Sequence, residues 1–206
     1  MADSTHASAT DAEDAARAGL YGLIGRLFYG APDPNLIAQI CQDTPDSAEG
    51  GQTDSDLTRA WAELQRACKA SFPPVVRQEF DTLFVGVGKA PVTPYLSSYS
   101  RDTPPDRYLV QLRERLADWG LVRRSGAGEV EDHVSGICDV MRWLIENGQP
   151  IEVQAHFYRT FIAPCSIAFF AAVQDAPNAS FYKHVAGLAT AFMDIERLAF
   201  EVAESE

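Results

Sequence analysis

Three features of the sequence predict an all-α fold. Apolar residues recur at three-and-four spacing in segment after segment, prolines and glycines fall between those segments, and no stretch sustains the apolar–polar alternation of a strand. Eight or nine helices with short connections then give a bundle packed around one core. No internal repeat of fixed period is present.

Residues 1 to about 10 are small and polar and are expected to be unstructured, leaving 11–206 as one helical domain. Leu20, Leu23, Ile24, Leu27 and Phe28 line a first helix, which the turn sequence GAPDPN stops. Leu36, Ile37 and Ile40 mark a short second helix. Residues 43–56, DTPDSAEGGQTDSD, hold no apolar side chain larger than alanine and predict a mobile acidic loop. A third helix carries Leu57, Trp61, Leu64 and Cys68. A fourth follows Pro73-Pro74, which suit a first turn whose amides lack partners anyway, and carries Val76, Phe80, Leu83 and Phe84.

The stretch 86–105, GVGKAPVTPYLSSYSRDTPP, is too rich in proline for a paired strand and predicts a long, aromatic-bearing loop. Leu109, Leu112, Leu116 and Trp119 form the next helix, closed by Gly120. Another helix covers about 130–147, with Ile137, Val140, Met141 and Leu144 facing inward. Pro150 opens the helix of Val153, Phe157 and Phe161, and Pro164 separates it from Ile167, Phe170 and Val173. A long last helix presents Phe181, Val185, Leu188, Phe192, Ile195 and Ala199 on one face.

At 206 residues the chain can bury a single good core without disulfides or metal. A formal net charge of -12 excludes the basic patch that a nucleic-acid binder needs to displace counterions, and it favours basic partners. Cys41, Cys68, Cys138 and Cys165 lie far apart without a CxxC and are expected to be reduced core thiols. The N-terminus has no basic segment followed by an apolar run, and no apolar stretch approaches the roughly 20 residues that cross a bilayer. The expectation is a cytoplasmic protein with no stable membrane insertion.

One stretch resists this plain reading. In GEVEDHVSGICDVM, residues 128–141, Glu129, Asp132 and His133 head the stripe that continues into Gly136, Ile137, Val140, Met141 and Leu144. First-turn acids complement the positive end of a helix, and a histidine can simply pack against a neighbour. These residues, however, continue the core-facing line, where charge is costly unless it borders a cleft that takes a cationic or hydrogen-bonding ligand. Paired Glu-x-x-His motifs for a di-metal bundle are lacking, since Glu129–His133 and Glu152–His156 are spaced by four; a mononuclear site stays open. Ser97, Ser98 and the cysteines stand in no nucleophile motif, and GVGKAP lacks the GK[ST] ending of a phosphate loop.

EFDTLFVGVGKAPVTPYLSSY, residues 79–99, followed by EVEDH, residues 129–133, resembles the TorD/DmsD/NarJ group of cytoplasmic maturation chaperones for molybdenum-containing reductases and dehydrogenases. Members show a helix ending LFxG, a loop of the form PxxPPYESVY and a later E-P-x-D-H signature. LFYGAPDP, HFYRTFIAPCSIAFFAAV and SFYKHVAGLATAFMDIE extend the likeness over nearly the whole chain. Leu96 stands where many members have Glu, Val130 replaces Pro, and Cys165 falls where Trp is common; Pro94, Tyr95, Ser97, Tyr99, Glu129, Asp132 and His133 match.

The resemblance implies a helical fold, no catalysed reaction, no cofactor of its own, and reversible binding of an apo-enzyme catalytic subunit with its twin-arginine leader until molybdopterin is inserted. Glu129, Asp132 and His133 would then meet the positively charged leader, and Phe84, Tyr95 and Tyr99 its hydrophobic part, with Pro94 and Ser97 of the matching motif also counted among the partner-binding residues. Some members are linked to guanine nucleotide, a ligand for which no phosphate-binding motif is present here. The alternative from another class is an all-α, metal- or nucleotide-dependent hydrolase using Glu129, Asp132 and His133.

Overall fold

The computed structural model describes residues 3–42, 55–86, 90–122 and 129–203, with the backbone alone for 3–11. Among the described residues there are nine α-helices and no strand. They are α1 (Asp3–Tyr29), α2 (Pro34–Gln42), α3 (Asp56–Ala70), α4 (Pro73–Phe80), α5 (Pro105–Asp118), α6 (Val134–Glu146), α7 (Ile151–Phe157), α8 (Ala163–Asp175) and α9 (Tyr182–Ala203). The all-α expectation holds. The chain divides into two compact units, residues 1–29, 94–166 and 197–206 in the first and 30–93 and 167–196 in the second, a division that length alone did not signal.

In the first unit α1 packs along α6. Gly25 allows the approach: a Cβ there would meet Cys138 Cβ at 3.3 Å and the Ser135 carbonyl oxygen at 3.4 Å. Tyr21, Ile24, Leu27 and Phe28 of α1 and Ile137, Met141 and Leu144 of α6 are buried, whereas Val140 is only half-buried. Trp119 packs on Phe157, which stacks in turn on Phe161. Tyr108 meets Phe161 edge-on and donates its hydroxyl hydrogen to the Phe161 carbonyl at 2.6 Å, so a buried phenol is satisfied inside an aromatic core.

In the second unit α2 packs on α3, where the Gln65 side chain donates to the Ile40 carbonyl at 2.9 Å. Phe80, Phe84 and Tyr182 form an aromatic cluster with ring centroids 5.1 to 5.7 Å apart. Glu79, only 9% exposed, reaches the start of α9: its carboxylate accepts from the amides of Ser180 at 2.8 Å, Phe181 at 3.0 Å and Tyr182 at 2.8 Å. Those amides have no partner within the helix, so a carboxylate from another helix supplies the cap.

Several boundaries differ from expectation. α1 begins at Asp3, inside the segment read as an unstructured terminus; residues 3–10 are rich in Ala, Ser and Thr and carry no contrary signal such as Pro or Gly. Of the predicted loop 43–56, residues 43–54 lie outside the described residues, while Ser55 caps α3 by accepting from the Thr58 amide and Asp56 opens it. In 86–105, residues 87–89 lie outside the described residues, and Leu96–Tyr99 forms a 3-10 turn. Pro164 does not separate two helices. A wide turn over Tyr158–Ile162, in which the Ala163 amide reaches back five residues to the Tyr158 carbonyl, precedes it and carries the helix on into α8.

The helical run Ile151–Asp175 is therefore 25 residues long and by length and composition could cross a membrane, contrary to the expectation that no such stretch exists. Half of its most apolar window is buried inside the fold, and core helices of soluble proteins meet the same test. Ile167 is exposed, and Phe169 takes its place in the core. On α9 the buried face runs through Phe181, Val185, Leu188 and Phe192 as expected. It then continues through Glu196 and Phe200, leaving Ile195 and Ala199 exposed. A fully buried glutamate breaks the hydrophobic pattern from which that face was read.

Candidate functional site

The stretch 129–133 is not the head of a helix, and Gly128 lies outside the described residues. α6 starts only at Val134, and His133 is its N-cap. The reason lies in the backbone partners of the segment. Tyr95 and His133 form an antiparallel bridge, with the Leu96 amide donating to the Asp132 carbonyl and the Val134 amide to the Pro94 carbonyl, both at 2.9 Å. The His133 amide donates to the Val130 carbonyl at 3.0 Å and closes a turn. Groups committed to a neighbouring segment cannot also continue a helical ladder. The turn folds tightly over the first turn of α6, where a Cβ at Gly136 would lie 3.1 Å from the Glu131 carbonyl oxygen.

The bridge brings the two separate motifs into contact. Tyr95 donates its hydroxyl hydrogen to Glu129 Oε2 at 2.5 Å, and its ring meets the His133 imidazole edge-on at 5.5 Å. That bond to Glu129, with burial adding to it, pushes the Tyr95 phenol up to about 12, so the phenol stays a donor. His133 Nδ1 accepts the Ser135 amide at 3.2 Å and faces Ser135 Oγ at 2.7 Å. An accepting Nδ1 places the proton of the neutral ring on Nε2. Burial holds the His133 pKa below its ordinary value, against the opposing pull of Glu129 and Asp132.

Asp132 is 2% exposed. Its field reaches Tyr95, Tyr108 and Arg113. Arg113, which that field reaches, is engaged by another acid: its Nε and Nη2 both donate to Glu131 Oε2, at 3.1 and 2.9 Å. Glu129 and Asp132 therefore form an acidic pair at the N-terminal end of α6, one member held by a phenol. Such a pair favours a cation or a multiple donor, guanidinium above all.

Of the residues singled out from sequence, Pro94, Tyr95, Glu129, Asp132 and His133 come together here. Buried Ser97 and half-buried Tyr99 lie on the 3-10 turn that follows directly. Phe84 belongs to the second unit, where it is 7% exposed and packs on Phe80 and Tyr182, so the expectation that it offers a binding surface is corrected. Phe80, one helical turn earlier, and adjacent Leu83 are buried with it. Sequence reasoning missed Ser135 and Arg113. Neither carries a motif, and only the folded turn sets Ser135 against the imidazole and Arg113 against Glu131.

Among the described residues no three His, Cys, Asp or Glu side chains group as metal ligands. A groove of about 280 Å³ in the first unit is lined by Gln111, Arg115, Asp118, His156, Thr160 and Phe161, among others; none of its lining residues belongs to the cluster.

A family model described as nitrate reductase delta subunit matches residues 51–171, more than half of the chain and all of the bridged loop and turn. An uncharacterized protein of Haemophilus influenzae is 26% identical over 168 residues, covering 80% of this chain and 83% of that protein. A solved structure of a proposed redox enzyme maturation protein from Archaeoglobus fulgidus superposes with a TM-score of 0.52 at 18% identity, over 87% of this chain and 92% of that one. At that identity the likeness is one of fold.

Proposed function

The chain belongs to the nitrate reductase delta subunit family, the NarJ-type group that its motifs resemble, and from that premise we propose that it is a redox-enzyme maturation chaperone. It binds the apo-form of a molybdenum-containing reductase or dehydrogenase catalytic subunit together with its twin-arginine leader in the cytoplasm. It releases both once the cofactor is in place, and it catalyses no reaction itself.

The observation that carries this reading is the Asp132 carboxylate. Asp132 is 2% exposed, stands in the same electrostatic neighbourhood as a second acid, Glu129, and lies at a bridge between two loops. Two neighbouring carboxylates suit a guanidinium arriving from a leader, whose several donors can serve both. Tyr95 adds a half-exposed ring beside it, suited to stack on an arginine. The net charge of -12 supports attraction of basic segments over longer distances.

The test is affinity capture of the full chain from its native cytoplasm. A cofactor-free molybdoenzyme catalytic subunit still carrying its leader is the expected companion. Capture of that subunit only in its mature, leaderless form would contradict the proposal.

A further inference from the structure

Glu131 and Asp132 are the central residues of the turn that the His133 amide closes on the Val130 carbonyl at 3.0 Å, and Glu129 stands just before it. The fold treats these three acids differently. Glu129 accepts the Tyr95 hydroxyl at 2.5 Å, and Asp132 is withdrawn from solvent behind the bridge. Glu131 is held by a guanidinium, because Arg113 of α5 donates to its Oε2 from both Nε and Nη2, at 3.1 and 2.9 Å. The turn read above as a receiver of arginines already carries one of the chain's own.

Two details make this contact replaceable by an incoming cation. Side-chain exposure is 53% for Arg113 and 17% for Glu131, so the cation is the solvent-facing partner of the pair. Both donors converge on one oxygen, whereas the strongest guanidinium–carboxylate pairs engage the two oxygens in parallel. An exposed pair of this kind is weak, because water competes for both ions and holding a long side chain costs entropy. Exchanging one guanidinium for another also leaves no withdrawn carboxylate bare.

Given the leader binding proposed above, on which this rests, we infer that Arg113 is a built-in competitor of the leader: it occupies Glu131 in the empty chain, and one leader arginine displaces it while the other engages Glu129 and Asp132. The exchange gives the site a way to distinguish two adjacent arginines from one. A leader with a single arginine meets the Glu129–Asp132 pair and leaves Arg113 in place, so Glu131 adds nothing to its binding. Released Arg113 turns to solvent from an exposed position of α5, which need not otherwise change.

Calorimetric titration of the full chain with a synthetic twin-arginine leader tests this. Arg113→Gln keeps a good helix former and removes the competing cation, so it should bind the leader roughly two- to fivefold more tightly than wild type, the range that loss of an exposed ion pair allows. Arg107, an exposed arginine of the same helix, controls for net charge, and Arg107→Gln should stay near the wild-type affinity. In a chain already carrying Glu131→Gln, adding Arg113→Gln should bring no gain, since the acid it would free is absent. A leader with one arginine replaced by glutamine should bind wild type and Arg113→Gln alike. An unchanged affinity in Arg113→Gln, an equal gain in Arg107→Gln, or a gain that survives Glu131→Gln or the single-arginine leader overturns the inference. Where wild type binds the leader and Asp132→Asn weakens it while Arg113→Gln changes nothing, the competitor role alone fails; no binding by wild type overturns the leader-binding reading with it.

Discussion

Replacing Glu79 by Gln tests how the second unit is held together. The carboxylate accepts three amide hydrogens: Oε1 takes those of Ser180 and Tyr182, and Oε2 takes that of Phe181. Glutamine keeps one carbonyl oxygen, which can occupy the Oε1 position and retain two of the bonds. Its NH2 group then faces the Phe181 amide, donor against donor, at a site where Phe181 is 2% exposed and water cannot intervene. One buried amide left unsatisfied costs about 1–3 kcal/mol. Loss of the charge at the positive end of α9 adds about 0.5–1 kcal/mol. The sum is about 1.5–4 kcal/mol, or a fall of roughly 3–16 °C in melting temperature for a chain of this size. Urea unfolding of wild type and Glu79→Gln at constant slope measures it, with Glu79→Ala as the harsher variant. A loss below about 0.5 kcal/mol for both would refute the capping role.

Leu144 is fully buried between α1 and α6, so Leu144→Ala should cost about 2–5 kcal/mol in the same assay. A change of a few tenths would remove this position from the core. His133 gives a pH signature. Its pKa is lower in the folded chain than its unfolded value of 6.5, so the unfolded state binds the proton first as pH falls. Its contribution to stability is full above about 6.5 and is lost as pH drops below that toward the folded value. His133→Asn keeps an acceptor that can cap α6 and removes the titration. Stability of the variant should therefore decline less than that of wild type from about pH 7 to about pH 5, with His184, whose pKa burial also lowers, contributing equally to both curves. Parallel curves would contradict the assignment of His133 as buried and neutral.

The helices were legible because their buried faces are built from repeating apolar residues, as with Leu112 and Leu116 on α5 or Val185, Leu188 and Phe192 on α9. Legibility failed where a polar residue is buried, as at Glu196, or where a helix survives a proline because a wider turn precedes it, as at Pro164. The site was half legible. The acids and the histidine drew notice as charge on an apolar stripe, but the stripe begins one residue after them. What withholds Asp132 and His133 from solvent is the bridge to Pro94–Leu96, a pairing across some 35 residues of chain that no local pattern encodes. The same limit hid Ser135 and the Glu79 cap, whose partners lie far along the sequence or depend on a single backbone turn. Phe84 illustrates the opposite error, in which an aromatic beside a motif was read as surface and is core.

The central claim is that the cluster at the start of α6 receives a basic leader, and calorimetric titration of wild type and Asp132→Asn with a synthetic twin-arginine leader tests it most directly. Asparagine preserves shape and removes charge. Because Asp132 is 2% exposed, the loss should be about 1–3 kcal/mol, roughly five- to 150-fold in Kd, with a folding stability that changes less. Wild-type affinity should also weaken with added salt more steeply than that of the variant, since screening acts on the charge that was removed. Equal affinities and equal salt slopes, with a lower melting temperature as the only change, would contradict the account and leave the cluster a structural one.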